Sequence, residues 1–291
     1  MFEGVYTALV TPFAADGSID TDALRALVSS QIAAGVSGLV PMGTTGESPT
    51  VTHAENIEVI RLVVEEAAGR VPVIAGTGSN STQEAVDMTK LAKEIGADAS
   101  LQVTPYYNKP SQEGLYRHFT TIADSVDLPV VVYNIQGRTG RNIENDTMLR
   151  LAAHENIVAV KEASGDIAQV MNLVETKPDD FVVLSGDDNL ALPITLLGGK
   201  GVISVASNIV PGRMSDMIAD AVDGRLAEAR RKHYELLPLF RALFFDTNPI
   251  PIKYALSVAG TIEERYRLPL CGAPDEVKTK IRAVLSDLSL A

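Results

Sequence analysis

The stretch that decides the fold is PVVVYNIQGRTGRNIENDTMLRLAAHENIVAVKE, residues 129–162. It opens on an apolar β-branched run, passes through a Gly-containing turn and carries a helical pattern over 145–153. It closes on a second β-branched run, IVAVKE at 157–162. Strand, helix and strand in that order make a βαβ unit with parallel strands. The runs are apolar nearly throughout instead of alternating with charges, which fits a sheet covered on both faces. Outward from this unit, strands are expected at VYTALV (5–10), GLVPM (38–42), VPVIAG (71–76), ASLQV (99–103), FVVLSG (181–186) and GVISV (201–205). Helical patterns lie at 21–34, 52–68, 81–95, 112–125, 166–177, 187–197 and 212–222. Thr52 with Glu55 three residues on, and Asp166, read as N-caps. Eight such strands close a parallel barrel. The competing open doubly wound sheet carries a Gly-rich dinucleotide loop after its first strand, whereas TPFAADGS follows here at 11–18. The expected class is α/β: a (β/α)8 TIM barrel over 1–224 with a small C-terminal helical domain over 225–291. In that tail, helices are expected at 225–244, 252–259 and 274–288, with the Pro-rich break at 249–251 between the first two.

Composition narrows the function. The chain has 291 residues, 46% apolar and 21% charged, with a net charge of -12. That acidity makes nucleic acid and anionic membrane surfaces unexpected partners. Cys271 is the single cysteine, so no internal disulfide can form and a reducing, cytoplasmic location is expected. No signal peptide is expected at the N-terminus and no apolar run is long enough to span a bilayer.

A barrel builds its site at the C-terminal ends of its strands. That rule selects GTTGES (43–48), TPYYN (104–108), Tyr133 with Asn134, Lys161 with Glu162, and SGDD (185–188). In IVAVKE, Ile157, Ala159 and Lys161 share one face and the two valines share the other. With the valines under the helices, Lys161 points into the barrel mouth. Burial of an amine among apolar neighbours lowers its pKa, and a neutral amine can form a Schiff base with a carbonyl. An ion pair with Glu162, or with a carboxylate elsewhere around the mouth, is the plainer reading, and strand position alone leaves both open. Tyr133 ends the neighbouring strand and could shuttle protons through Thr44 or Thr45 and Tyr106 or Tyr107, or simply cap the barrel edge. GTTGES offers backbone N–H groups and hydroxyls suited to a carboxylate, without the Gly-Lys-Ser/Thr of a nucleotide loop. GTGSNST (76–82) and GGKG (198–201) are weaker candidates of the same kind. His53, His118, His154 and His233 are scattered with no zinc pattern, so no metal is expected.

With Lys161, Tyr133 and GTTGES together, the chain resembles the dihydrodipicolinate synthase / N-acetylneuraminate lyase family nearly end to end. Further carriers are TALVTPF (7–13), AGTGSN (75–80), TPYYNKPSQEGLYRHF (104–119), GRTG (137–140), KEASGD (161–166), GGKGVISV (198–205) and NPIPIK (248–253). The resemblance implies a Schiff base between pyruvate and Lys161. GTTGE and Arg138 point to the branch that condenses pyruvate with L-aspartate 4-semialdehyde, with Arg138 on the semialdehyde carboxylate. A sister pyruvate-dependent aldolase, such as an N-acetylneuraminate lyase or a 2-keto-3-deoxy sugar acid aldolase, is the alternative. A keto-acid sensor without turnover is a reading of another class. By the same resemblance Thr44, Tyr133 and Tyr107 form a proton relay, Tyr107 reaching into a neighbouring subunit. Thr44 and Thr45 hold the pyruvate carboxylate, and Gly186 and Ile203 line its pocket. No cofactor is implied, and a homotetramer built as a dimer of dimers is. Ser48, His53, Asn80, Glu84 and Tyr106 match a site for the feedback inhibitor L-lysine, with Asn56 standing where strongly inhibited members have histidine.

The family usually has proline at position 136, where this chain has Gln136. Proline would fix φ and donate no hydrogen bond. Glutamine is therefore expected to make the 135–140 turn more mobile while leaving Arg138 correctly aimed.

Overall fold

The structure, a computed structural model, describes residues 2–291. Its strands are β1 (Gly4–Ala8), β2 (Gly38–Val40), β3 (Ile74–Gly76), β4 (Ala99–Val103), β5 (Val130–Asn134), β6 (Ile157–Glu162), β7 (Val182–Ser185) and β8 (Gly201–Ser204). They form one sheet in the order β2-β1-β8-β7-β6-β5-β4-β3, and every pair is parallel. The two end strands meet as well. Leu39 bridges Val73 in parallel, the Leu39 N–H donates to the Pro72 carbonyl at 3.0 Å, and Gly76 donates to Pro41 at 3.0 Å. The ring is thus closed, as expected. β2 and β3 are shorter than the apolar runs that contain them, because only this short seam joins them.

The helices are α1 (Thr21–Ala33), α2 (His53–Ala67), α3 (Thr82–Ile95), α4 (Gln112–Ser125), α5 (Gln136–Thr139), α6 (Asn145–Ala152), α7 (Ile167–Thr176), α8 (Asp188–Leu196), α9 (Pro211–Val222), α10 (Leu226–Ala242), α11 (Ile250–Val258) and α12 (Asp275–Asp287). Polar caps set where several begin. Thr52 and Glu55 form a reciprocal capping box at α2, Ser81 accepts from Glu84 at α3, and Asp166 accepts from Ala168 and Gln169 at α7, each satisfying N–H groups that a helix start leaves orphaned. No helix among the described residues is long and apolar enough to cross a membrane.

Two periods divide the core. Tyr6, Val40, Ile74, Leu101, Val131, Tyr133, Ala159, Leu184 and Ile203 pack inside the barrel. Val130, Val132, Val160 and Val183 pack outside it, under the helices. Side chains alternate over Ala159, Val160 and Lys161, so Lys161 falls on the inner face with Ala159. Ile157 does not share that face as expected: the register shift between Val130 and Val131 makes Val158 an extra residue in β6, so Ile157 packs with the outer cluster and Val158 against the inner one. The tail does not stand apart: Leu236, Leu239, Phe240, Ile252, Leu256, Ile281 and Leu285 share one apolar cluster with Val5, Leu9 and Val202.

Two local features differ from expectation. The 135–140 turn is one turn of helix, α5, in which Arg138 and Thr139 donate to the Ile135 carbonyl and Gly140 donates to Gln136 at 2.8 Å. Gln136 is its first residue, where a free N–H is normal. α11 starts at Ile250, ahead of position 252, because Pro251 sits in the first turn, where proline is tolerated.

Candidate active site

Lys161 and Tyr133 are direct neighbours in the β5–β6 register. The Lys161 Nζ stands 4.2 Å from the centroid of the Tyr133 ring, and each residue is only 5% exposed. No described residue accepts a hydrogen bond from this amine. Burial lowers its pKa to about 8, against the opposing charges of Asp187 and Asp188 and with a smaller push from Arg138. An ion pair of Lys161 with Glu162 fails on geometry, because Glu162 faces the other way. Its carboxylate accepts from Asn134 Nδ2 at 3.1 Å and from the Ser164 N–H at 2.7 Å. Asp187 and Asp188, elsewhere around the mouth, act on the amine through their charge without a hydrogen bond to it. Burial raises the Tyr133 pKa, as does Asp187, while Arg138 and a hydrogen bond with Thr44 pull it down. The phenol is therefore protonated near neutrality.

Gly186 follows β7 beside the lysine. A Cβ there would lie 3.2 Å from Lys161 Cε and 2.7 Å from Ala163 Cβ, so glycine keeps open the space that a small substrate needs. Ile203 is fully buried in the barrel interior. The loop after β2 bends sharply: Met42 and Glu47 have φ of 59° and 57°, a region that non-glycine residues seldom adopt. Thr44 faces a cavity of about 380 Å³ that also touches Tyr133 and Arg138. Thr45 is buried one position on and its Oγ1 accepts from Asn248 Nδ2 at 3.0 Å.

The far end of the same cavity is lined by Ser48, His53, Asn56, Glu84 and Tyr106. His53 Nε2 lies 2.7 Å from Glu84 Oε1, and Asn80 Nδ2 donates to the Tyr106 carbonyl at 3.2 Å. Asn56 is 8% exposed and its Oδ1 has no partner among the described residues. Of the five residues matched to an inhibitor site, Ser48, His53, Glu84 and Tyr106 line this cavity, and Asn80 does not but is bonded to Tyr106. Tyr107 is the exception to this convergence. It is 91% exposed, with φ of 70°, and does not touch this cavity.

Sequence reasoning passed over Asn248, Lys253 and Glu47. Arg138 Nη2 donates to the Asn248 carbonyl at 3.1 Å, and Lys253 Nζ meets Glu47 Oε1 at 2.5 Å with both side chains wholly buried. For Asn248 and Lys253 the only clue was NPIPIK itself, a motif lying past the barrel and away from any strand end; Glu47 lies within GTTGES, where only the threonines were given a role.

The family model described as "Dihydrodipicolinate synthetase family" matches residues 1–288. The 4-hydroxy-tetrahydrodipicolinate synthase of Methanospirillum hungatei is 51% identical, over 98% of this chain and 99% of its own. The structure of chloride-inhibited dihydrodipicolinate synthase from Acinetobacter baumannii, complexed with pyruvate, superposes with a TM-score of 0.98 at 43% identity, covering all of both chains. DHDPS from Cyanidioschyzon merolae, with lysine bound, gives 0.97 at 43% identity, covering 100% of this chain and 99% of that one. With a barrel, a buried lysine at the end of its sixth strand and this agreement along its whole length, the chain belongs to the dihydrodipicolinate synthetase family.

Proposed function

We propose that the protein condenses pyruvate with L-aspartate 4-semialdehyde to give 4-hydroxy-tetrahydrodipicolinate, as part of lysine and diaminopimelate biosynthesis. The observation that carries this reading is the buried, unpaired Lys161 amine, held at a pKa of about 8 beside Tyr133. Near neutrality a usable fraction of that amine is unprotonated and can attack the ketone. Nitrogen adds to the pyruvate carbonyl carbon, protons move from nitrogen to oxygen, and water leaves to form the imine. Loss of a methyl proton gives the enamine. Its carbon attacks the aldehyde, whose oxygen takes up a proton. The substrate's own amine then adds to the imine carbon and displaces Lys161, closing the ring.

The proton transfers run through Tyr133 and Thr44, with Tyr107 supplied by a second copy of the chain. A protonated phenol with a hydroxyl neighbour suits a relay, since each can donate and accept at once. Thr44 and Thr45 hold the pyruvate carboxylate. Gly186 and Ile203 shape the space around it, and Arg138 takes the semialdehyde carboxylate with its planar fork. The working form is a homotetramer, a dimer of dimers, in the cytoplasm.

L-Lysine binds at the other end of the cavity. The cluster of Ser48, His53, Asn80, Glu84 and Tyr106 supports this, because Glu84 can pair an ammonium group and the cleft is continuous with Thr44 and Tyr133. A solved relative at 43% identity carries lysine. Millimolar L-lysine should lower the rate, and a rate indifferent to it removes this part of the proposal.

Borohydride reduction in the presence of pyruvate tests the central step. A covalent mass increase is expected on Lys161 and nowhere else, and Lys161→Met should abolish it. An adduct on another lysine, or none, rejects the mechanism. Turnover with the semialdehyde, and none with sugar aldehydes, separates this activity from that of a sister aldolase.

A further inference from the structure

The C-terminal segment grips the loop after β2 at several points. Lys253 Nζ pairs with Glu47 Oε1 at 2.5 Å, and the Arg267 N–H donates to Glu47 Oε2 at 3.2 Å. Asn248 Nδ2 donates to Thr45 Oγ1 at 3.0 Å. Asn248 also accepts, through its backbone carbonyl, a bond of 3.1 Å from Arg138 Nη2. One residue thus touches both groups that the proposed function assigns to carboxylates, Thr45 for pyruvate and Arg138 for the semialdehyde.

The direction of the first bond has a chemical consequence. A hydroxyl has one proton to give and lone pairs to receive. When the Asn248 amide donates to Thr45 Oγ1, the threonine proton is left free for another acceptor, which is what a carboxylate requires. Asn248 and Thr45 are 5% and 3% exposed, so bulk water competes weakly for either group. The Arg138 contact works in parallel. One N–H of the guanidinium is fixed on a backbone carbonyl, which sets the plane in which the remaining donors lie. The carbonyl belongs to a loop held down by the buried Lys253–Glu47 pair, so its position is shared with the carboxylate loop itself.

We propose that Asn248 is a positioning residue for both carboxylates: its side-chain amide turns the Thr45 hydroxyl toward pyruvate, and its carbonyl aims Arg138. The proposal rests on the reading of the site given above. It makes a separable prediction, because the side chain serves one substrate and the backbone the other.

The test is the pyruvate dependence of borohydride trapping, measured on the intact protein and on Asn248→Ala, Asn248→Asp, Thr45→Val, Thr45→Ser and the Asn248→Ala/Thr45→Val pair. Loss of one oriented neutral hydrogen bond should raise the half-saturating pyruvate concentration roughly fivefold to tenfold in Asn248→Ala. Thr45→Val should do the same, and the pair should lose no more than either alone, because both remove one interaction. Thr45→Ser keeps the hydroxyl and should stay near the parent value. Asn248→Asp is close to isosteric, so it keeps the test valid if the alanine variant fails to fold. Its carboxylate accepts the threonine proton, turns it away from pyruvate and adds a like charge, so it should bind pyruvate more weakly than the alanine variant. Semialdehyde KM and kcat at saturating pyruvate should stay within about twofold in Asn248→Ala, a split that a general loss of structure would not produce. Additive losses in the pair, or unchanged pyruvate dependence in Asn248→Asp, overturn the proposal. Absence of any Lys161 adduct in the parent protein instead rejects the Schiff-base reading beneath it.

Discussion

At Lys161 burial and three charges compete. Burial is the largest influence and lowers the pKa, Asp187 and Asp188 raise it, and Arg138 lowers it a little more, with a result of about 8. Below that value the amine is protonated and cannot attack, so the rate of imine formation should climb with pH and level off above an inflection near 8. Removing a neighbouring negative charge destabilises the protonated form, so Asp187→Asn should move the inflection to lower pH. Asp187 is the better probe of the two carboxylates. Asp188 also accepts from the Val205 and Ala206 N–H groups at 3.1 and 2.9 Å, and its loss would disturb the backbone after β8. The measurement is the rate of trapping at fixed pyruvate across pH 6 to 10. An inflection that stays put or moves upward in Asp187→Asn would show that the carboxylate does not reach the amine. The carboxylates themselves sit under strain of the opposite sign: burial lifts the Asp188 pKa to about 6.

Among the elements, α5 is the one that the residues gave no sign of. It spans Gln136–Thr139, has no side-chain cap and holds no apolar period, so pattern reasoning had nothing to count. Its geometry turns Gln136 from an oddity into a position ready for proline. The residue is the first of the helix, and Ile135 before it has φ of -145° and ψ of 77°, outside the helical region that a following proline disfavours. Gln136→Pro should therefore raise stability by about 0.4–1 kcal/mol, by restricting the unfolded chain. Denaturant midpoints at unchanged m-value would check it, and a lower midpoint would mean that the weak contact of Gln136 Nε2 with the Ser164 carbonyl, at 3.5 Å, matters more than its length suggests. The strands and larger helices were legible for the reason that α5 was not: each is long enough to repeat its period, and many carry their own cap. The inward aim of Lys161 could be read from alternation over the last residues of β6, whereas the bulge at its start, which turns Ile157 to the outer face, left no mark in the pattern. Asn248 and Lys253 could not be placed this way, because their partners Thr45 and Glu47 lie 203 and 206 residues away in the chain. Only the closed barrel brings the tail back over the loop.

That return fixes how the molecule tolerates damage. Lys253 and Glu47 are both fully buried and pair only with each other and with the Arg267 backbone. Breaking such a pair from one side leaves an uncompensated charge and costs about 3–5 kcal/mol, whereas replacing both partners with neutral groups of similar volume costs far less. Lys253→Met should be severely destabilised, and Glu47→Gln in the same chain should recover most of the loss. Thermal or chemical unfolding of the two variants decides it. Equal instability of the single and double variants would mean that packing around Phe13 and Tyr266, whose rings lie 4.3 and 5.4 Å from the Lys253 amine, outweighs the charge.

Tyr107 poses the largest-scale question, because the proposed relay needs a group that one chain holds out to solvent. It is 91% exposed on a left-handed residue of the loop after β4, and nothing in its own subunit brings it back to Tyr133. If it completes the site of a second copy, a subunit lacking Lys161 can still lend its tyrosine, and a subunit lacking Tyr107 can still use its own lysine. Lys161→Ala and Tyr107→Phe proteins, each nearly inactive, should then regain activity when refolded together. Random pairing makes half the dimers hybrid and gives each hybrid one complete site, so the mixture should reach about a quarter of the parent activity per subunit. If the tyrosine serves its own chain, every site in the mixture stays incomplete and the activity is no more than the mean of the two variants; if it serves none, Tyr107→Phe is active before any mixing. The same mixture separated by mass before assay would locate the recovered activity in the hybrid fraction, and recovery in either homomeric fraction would refute the exchange.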